Sequence, residues 1–423
     1  VENSKAKTMS EYYDDLETRD PEQREEQQFA LLARQIAHAQ RQAPAYGRLL
    51  AGVEAAAVTS RAVLAKLPLT RKEELVELQR REPPFGGLAA ARVPELNRIF
   101  ASPGPIYEPG SARPDFWRFA RALFAAGFRR GQLLHNCFAY HFTPAGAMVE
   151  AGAHALGCAV FAAGPGQLEG QVQTIADLRP DGYVGTPSFL KMILDKGAES
   201  GSDVSSLRHA LVSGEALPAS LRDRFAGRGL QVLQCYATAD LGVIAYESPA
   251  REGLILDEGV IVEIVRPGSG DPLPDGEVGE VVVTTLAPEY PLLRFATGDL
   301  SAILPGPSPC GRTGRRIRGW LGRADQTAKV RGMFVRPGQV AQVLKRHPEV
   351  GRGRLIIDRS DDQDVMVLHC EVACTAPEGL VAAIVTSIRE LCNLRGEVQL
   401  VAPGSLANDG KVIDDRRPVD HAG

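Results

Sequence analysis

Two short phrases in the second half of the chain, Tyr236-Ala-Thr-Ala-Asp240 and Arg294-Phe-Ala-Thr-Gly-Asp299, combine residue types able to hold a nucleotide. Thr297-Gly298 sets up a tight turn after a strand, and Asp299 then offers a carboxylate to two vicinal hydroxyls such as those of a ribose. Tyr236 has a flat face for a base. The basic residues Arg294, Arg323 and Lys411 suit a phosphate or a developing acyl-phosphate anion. Each has a purely structural alternative: Tyr236 as a cap on the core, Asp299 as a turn-stabilising side chain, and Arg294 and Lys411 as solvated surface cations.

The elements that must position these residues follow from the apolar spacing. Asp20-Pro21 opens an amphipathic helix, with Phe29, Leu32, Ala33, Ile36 and Ala37 on one face, that runs up to Pro44. Beyond it, strand-like runs at 132–138, 157–161, 181–185, 210–213 and 231–236 alternate with helical text at 145–156, 170–178, 188–199 and 220–225. Strands separated by helices of that length imply parallel βαβ crossovers. From about residue 254 the rhythm changes to short strands at 260–265, 280–284 and 300–304 between Gly/Pro-rich turns, a smaller antiparallel unit. The basic, glycine-rich stretch 305–322 reads as a connector, followed by a compact α+β region to the end. Ligands of open α/β sheets sit at the carboxyl ends of the strands, where both phrases fall.

The order and spacing of these phrases, with Gly276-Glu-Val-Gly-Glu280, Gly322-Arg-Ala-Asp325 running on to Lys329-Val-Arg-Gly332, and a late Gly410-Lys411, resemble the adenylate-forming superfamily and its phenylacetate-coenzyme A ligases over nearly the whole chain. The resemblance implies an α/β fold with a large amino-terminal domain, residues 1–321, containing parallel sheets and a β subdomain from about 254. A small mobile α+β domain, 322–423, would follow. It implies an acid–thiol ligase that activates a carboxylic acid with ATP to an acyl-adenylate and passes the acyl group to coenzyme A. It also implies roles for the residues: Lys411 and Arg294 catalytic; Ser213, Gly214, Glu215, Ala216, Tyr236, Ala237, Thr238, Asp299 and Arg323 on the nucleotide; Asp240 on Mg2+; and Asp325 as hinge. The acyl pocket is expected where 136–143 leaves the sheet, with Phe138, Tyr140 and Phe142 as an apolar wall and His141 orienting a carboxylate or ring substituent. An aromatic or medium-sized acid fits such a wall, and many similar ligases are dimers, so a homodimer is among the assemblies it allows.

One stretch departs from the family. Where such ligases carry Ser-Ser-Gly-Thr-Thr-Gly-Lys-Pro around the phosphates, this chain has Ser102-Pro-Gly-Pro-Ile-Tyr-Glu-Pro109. Two prolines remove amide donors, and Glu108 replaces a lysine. A carboxylate about 4 Å from a phosphate oxygen would repel it by roughly 4 kcal/mol at an effective dielectric near 20. Three readings follow. Arg113, Arg118 or another loop geometry holds the pyrophosphate; or the protein takes AMP or an acyl-adenylate rather than ATP; or it is a non-catalytic or differently catalytic binder of AMP, acyl-adenylate or acyl-CoA.

Composition narrows the partners. The chain of 423 residues has 44% apolar content and a net charge of −4, enough for two cores and no general field for nucleic acid or an anionic membrane. No apolar run approaches a membrane span, so a cytoplasmic location is expected. Seven scattered cysteines lie mostly in strand-like text and read as reduced, buried thiols; His369, Cys370 and Cys374 have no second pair to complete a metal site.

Overall fold

The computed structural model describes residues 11–265, 270–324, 327–360, 363–373, 377–406 and 412–417, in two compact units divided after Trp320. In the first unit, helix α1 (Pro21–Gln42) starts where Asp20 accepts hydrogen bonds from the Glu22 and Gln23 amides, with proline at its first position. Its buried face, Phe29, Leu32, Ile36 and Ala39, follows the helical period. Each of the larger side chains contributes about 1.5–3 kcal/mol by leaving water.

Two small elements follow: an edge strand β1 (Thr70–Arg71), and a hairpin of β2 (Arg98–Ser102) and β3 (Ile106–Gly110) closed over Pro103, Gly104 and Pro105. The βαβ region then runs β4 (Leu133–Asn136), α2 (Ala145–Leu156), β5 (Ala159–Ala162), α3 (Leu168–Leu178), β6 (Gly182–Gly185), α4 (Pro187–Ser200), β7 (His209–Val212), α5 (Ala219–Ala226) and β8 (Gln231–Thr238). Strands β5, β4, β6, β7 and β8 lie side by side and parallel. The sheet continues antiparallel through β9 (Gly242–Glu247) and β10 (Leu254–Leu256).

A second sheet in the same unit carries β11 (Val260–Val265), β12 (Gly279–Thr285) and β13 (Phe295–Ser301), antiparallel in that order, with β1 added parallel to the free edge of β13. The third strand is displaced from the expected 300–304. Thr297-Gly298-Asp299 is therefore no turn after a strand; it lies within β13. Gly298 takes a φ of +73°, and the β12–β13 register slips between Glu280 and Val282. A residue with a Cβ avoids that backbone, so the glycine permits a bulge that re-aims the next side chain, Asp299. Finally β14 (Ile303–Leu304) and β15 (Arg316–Ile317) extend the large sheet beyond β10.

The connector is fastened to the amino terminus. Glu17, 2% exposed, accepts from Arg312 Nε at 2.6 Å and Tyr246 OH at 2.5 Å, while Arg24 pairs with Glu258 and donates to the Thr313 carbonyl.

The second unit has its own apolar core around Val330, Leu355, Ile357, Leu368, Ile384 and Ile388. It consists of a ribbon, β16 (Ala328–Val330) with β17 (Met333–Val335), and a four-stranded sheet with two helices. These are α6 (Pro337–Lys345), β18 (Val350–Ser360), β19 (Gln363–Val372), α7 (Leu380–Cys392), β20 (Glu397–Val401) and β21 (Ile413–Asp415), with sheet order β20-β19-β18-β21. Among the described residues, no helix is long and apolar enough to cross a membrane. The thiols of Cys137, Cys158, Cys235, Cys370 and Cys392 are free and buried.

Candidate functional site

The bulge in β13 and the end of β8 bring two of the singled-out residues together. Tyr236 OH donates to Asp299 Oδ2 at 2.7 Å, and Asp299 Oδ1 accepts from the Trp320 indole at 3.0 Å. Glu280 supports the bulge by accepting the Gly298 amide at 3.1 Å, which gives the glycine corner a structural task. Asp299 is thus held by neutral donors in a nearly enclosed position, 9% exposed. Next to the same strand end, Gly214 and Ala216 are exposed and Glu215 half-buried, so this backbone edge is open to a planar ligand. Ser213 is enclosed, with its hydroxyl on the Cys235 carbonyl at 2.8 Å. Ala237 and Thr238 are half-buried, and Thr238 Oγ1 accepts the Leu241 amide.

Asp240, in the turn between β8 and β9, is 6% exposed. One carboxylate oxygen meets Lys72 Nζ at 2.5 Å; the other has no hydrogen-bond partner. Lys72 comes from an element the sequence reading passed over. Thr70 and Arg71 pair with Phe295 and Ala296, so β1 delivers Lys72 alongside Thr297 and Asp299. Burial lowers the ammonium's proton affinity, but Asp240, Glu108 and Asp299 together outweigh it and hold Lys72 above its ordinary value. Nothing in the charged run Arg71-Lys-Glu-Glu74 distinguishes this lysine locally. Trp320 was the more legible omission: a tryptophan in a polar, glycine-rich connector, in a chain with only two.

Glu108 is not a surface loop residue. It lies on β3 opposite Phe100, faces inward and is 1% exposed. Burial, then the Asp240 charge, push its carboxyl up to about 8 against the opposing pull of Ser102 and Lys72. Ser102 stands beside it, yet neither the Glu108 oxygens nor the Ser102 hydroxyl meets a partner with hydrogen-bonding geometry. The two arginines considered as compensation for Glu108 are committed elsewhere: Arg113 to Glu289 at 3.0 Å, and Arg118 to Asp257 and the Val243 carbonyl.

The raised Glu108 value predicts a pH dependence. A carboxyl whose folded value, about 8, exceeds its unfolded one contributes stability that is complete below the unfolded value and is lost as pH rises through the folded one. In chelator-treated buffer, urea unfolding of the wild type should weaken from pH 5 to pH 9, and Glu108→Gln should flatten that slope. Identical slopes would overturn the assignment.

Several expected placements change. Arg294 does not face the site. It precedes β13 with a φ of +43°, is 2% exposed, and binds Glu263 at 3.1 Å and the carbonyls of Ala65, Leu67 and Gly270. That φ breaks the strand alternation on which an outward orientation depended. The aromatic wall is incomplete: Phe138 and Tyr140 are half-buried, with Tyr140 OH accepting from Asn136 Nδ2 at 2.7 Å, but His141 is exposed and Phe142 is 76% exposed. The Ala101 amide pins the Phe142 carbonyl, and a φ of +58° turns the ring outward. Arg323 belongs to the second unit, where its guanidinium lies over Phe334 at 5.8 Å. Asp325 and Lys411 lie outside the described residues. Among the described residues, no three His, Cys, Asp or Glu side chains are arranged to hold a metal by themselves.

Comparison with known proteins places this geometry in a family. Residues 118–287 match the model of the AMP-binding enzymes. The chain is 34% identical to a phenylacetate-coenzyme A ligase of Thermus thermophilus, covering 86% of this chain and 84% of that protein. It is 30% identical to a phenylacetate-coenzyme A ligase of Pseudomonas putida, covering 96% and 97%. The fold is that of a solved 2-hydroxyisobutyryl-CoA ligase in complex with 2-HIB-AMP and CoA, with a TM-score of 0.83 and 24% identity over 96% of this chain and 93% of that one. The chain therefore belongs to the phenylacetate-coenzyme A ligase-like branch of the adenylate-forming, AMP-binding enzymes, and is an acid–thiol ligase of the AMP-forming kind.

Proposed function

We propose that the chain joins an aryl carboxylic acid to coenzyme A at the expense of ATP. The observation that carries this reading is the Asp299 carboxylate, held by Tyr236 and Trp320 beside the open backbone edge at Gly214 to Ala216. Asp299 binds the ribose hydroxyls and the Tyr236 ring lies against the base. Half-buried Phe138 and Tyr140, just beyond β4, supply apolar surface for a ring, which favours an aryl acid.

In the first half-reaction a carboxylate oxygen of the acid attacks the α-phosphorus of ATP. The bond from that phosphorus to the pyrophosphate oxygen breaks, and pyrophosphate leaves. In the second, the coenzyme A sulfur attacks the acyl carbon, AMP departs, and the thiol proton passes to solvent. Lys411 is assigned to the carboxylate and α-phosphate in the first step, Arg323 to the nucleotide, and Asp325 to the hinge about which the second unit turns between steps. Magnesium is the expected companion of ATP. The unpartnered, buried Asp240 oxygen fits it, with the other oxygen kept on Lys72. When bound, the ion draws charge from phosphate oxygens. The reaction is assigned to the cytoplasm, where ATP and coenzyme A are supplied.

Acid-dependent exchange of labelled pyrophosphate into ATP, measured with magnesium over a panel of aryl, alicyclic and short hydroxy acids, tests the proposal. The expected result is exchange with an aryl acid, lost by at least about a hundredfold in Lys411→Ala. The burial of Glu108 where the family has a lysine favours a second reading, a binder of AMP or acyl-adenylate. Tight AMP binding without exchange for any acid would select it.

A further inference from the structure

The Asp299 carboxylate is a soft rotor held from two sides. The torsion that turns an aspartate carboxylate about its Cβ–Cγ bond is broad, so one hydrogen bond fixes one oxygen and leaves the plane loosely set. Here the two oxygens have different donors: Tyr236 OH meets Oδ2 at 2.7 Å, and Trp320 Nε1 meets Oδ1 at 3.0 Å. Both donors are neutral, so the carboxylate keeps its charge as an acceptor for hydroxyl groups.

The chain around Trp320 is shaped to deliver that donor. Ser301 Oγ donates to the Gly319 carbonyl at 2.6 Å and the Arg318 amide to the Ala302 carbonyl at 2.9 Å, which fastens the segment beside β13 just beyond Asp299. Gly319 takes a φ of +108°, which side chains avoid, and the turn it makes lets the next residue reach back to the carboxylate. A Cβ at this position would meet nothing within 4 Å, so the glycine serves the backbone conformation and not a close contact. Trp320 itself is 36% exposed, too open for core packing to account for it.

We propose that Trp320 is a positioning residue for the nucleotide: with the Tyr236 hydroxyl, its indole N–H sets the plane of the Asp299 carboxylate so that it meets both vicinal hydroxyls of the ribose at once. A single hydroxyl can follow a swinging carboxylate. A vicinal pair cannot, because both must be met in one orientation. The indole therefore adds selectivity for a ribonucleotide over a deoxynucleotide, beyond what it adds to affinity. This deepens the proposed function and rests on its assignment of Asp299 to the ribose.

Calorimetry of the full chain with AMP and with 2′-deoxy-AMP is the test. Trp320→Phe, which keeps an aromatic ring and removes the donor, should weaken AMP binding about tenfold and 2′-deoxy-AMP binding by no more than about threefold. In an Asp299→Ala background the same substitution should change AMP affinity by less than about twofold, because it acts through that carboxylate. A merely structural role would lower both affinities alike, in either background. The indole N–H signals in nuclear magnetic resonance give a check that does not need Trp320→Phe to fold. The chain has two tryptophans, and Trp117 is only 5% exposed. One indole signal of the wild type should shift when AMP is added, and the same signal should shift in Asp299→Asn. Suppose the wild type binds AMP, but Trp320→Phe loses both nucleotides in parallel or no indole signal responds to Asp299→Asn: the proposal is then overturned and the ligase reading stands. No AMP binding by the wild type removes the ribose assignment, and the proposal with it.

Discussion

Replacing Arg294 by methionine should destabilise the first unit by about 3 to 5 kcal/mol, because it leaves the buried Glu263 carboxylate without its cation. The loss extends further: the carbonyls of Ala65, Leu67 and Gly270 also lose their donor. These contacts join three separate stretches of chain at the edge of the second sheet, so the guanidinium works as a crosslink. Urea unfolding of the wild type and Arg294→Met measures it directly. A residue acting on phosphate would give the opposite pattern, with unchanged unfolding and a depressed rate of adenylation, and that outcome would return Arg294 to the catalytic set.

Asp299→Ala should weaken AMP binding by about 2 to 3 kcal/mol, or roughly 30- to 150-fold, by removing a charged acceptor for the ribose hydroxyls. The structure adds a reason for the size of the effect. Tyr236 OH and the Trp320 indole both donate to this carboxylate, so the substitution also frees two side chains that define the pocket. Calorimetry with AMP is the measurement. Asp299→Asn keeps the shape and an acceptor while removing the charge, and it should fall between wild type and Asp299→Ala. Unchanged AMP affinity in Asp299→Ala would remove the ribose assignment.

The parts of the molecule written in local pattern were legible in the sequence. Helix α2 was expected over 145–156 and occupies Ala145–Leu156, bounded by Pro144 and by Gly157 at a φ of +86°. The parallel strands fall within one or two residues of their expected starts because each apolar run is bracketed by turn residues. Tyr236 and Asp299 were picked out by motif, and they meet. The failures concern contacts between distant stretches. Lys72 meets Asp240, 168 residues away, and no feature of either local sequence records the other. Glu108 was read as part of a phosphate-facing loop because its neighbours Pro103 and Pro105 suggest irregular chain. Instead they close a hairpin whose strands alternate and turn Glu108 inward. Arg294 and Phe142 were misjudged for a related reason: each adopts a positive φ that side chains rarely take and that periodicity cannot anticipate.

The fastening of the amino terminus to the connector determines when, during synthesis, the first unit can be completed. Glu17 waits for Tyr246 and Arg312, Arg24 waits for Glu258 and Thr313, and β1 has no partner until β13 emerges. At translation rates of about 5–20 residues per second, the interval between Glu17 and Arg312 is on the order of 15 to 60 s. Throughout it, α1 can pack on the segment that follows it, where Gln40 donates to the Leu50 and Val53 carbonyls and Glu25 meets Arg61, but Glu17 and Arg24 still lack their distant partners. The contacts of Glu17 and Arg24 therefore close only after the connector has emerged, late in the completion of the first unit.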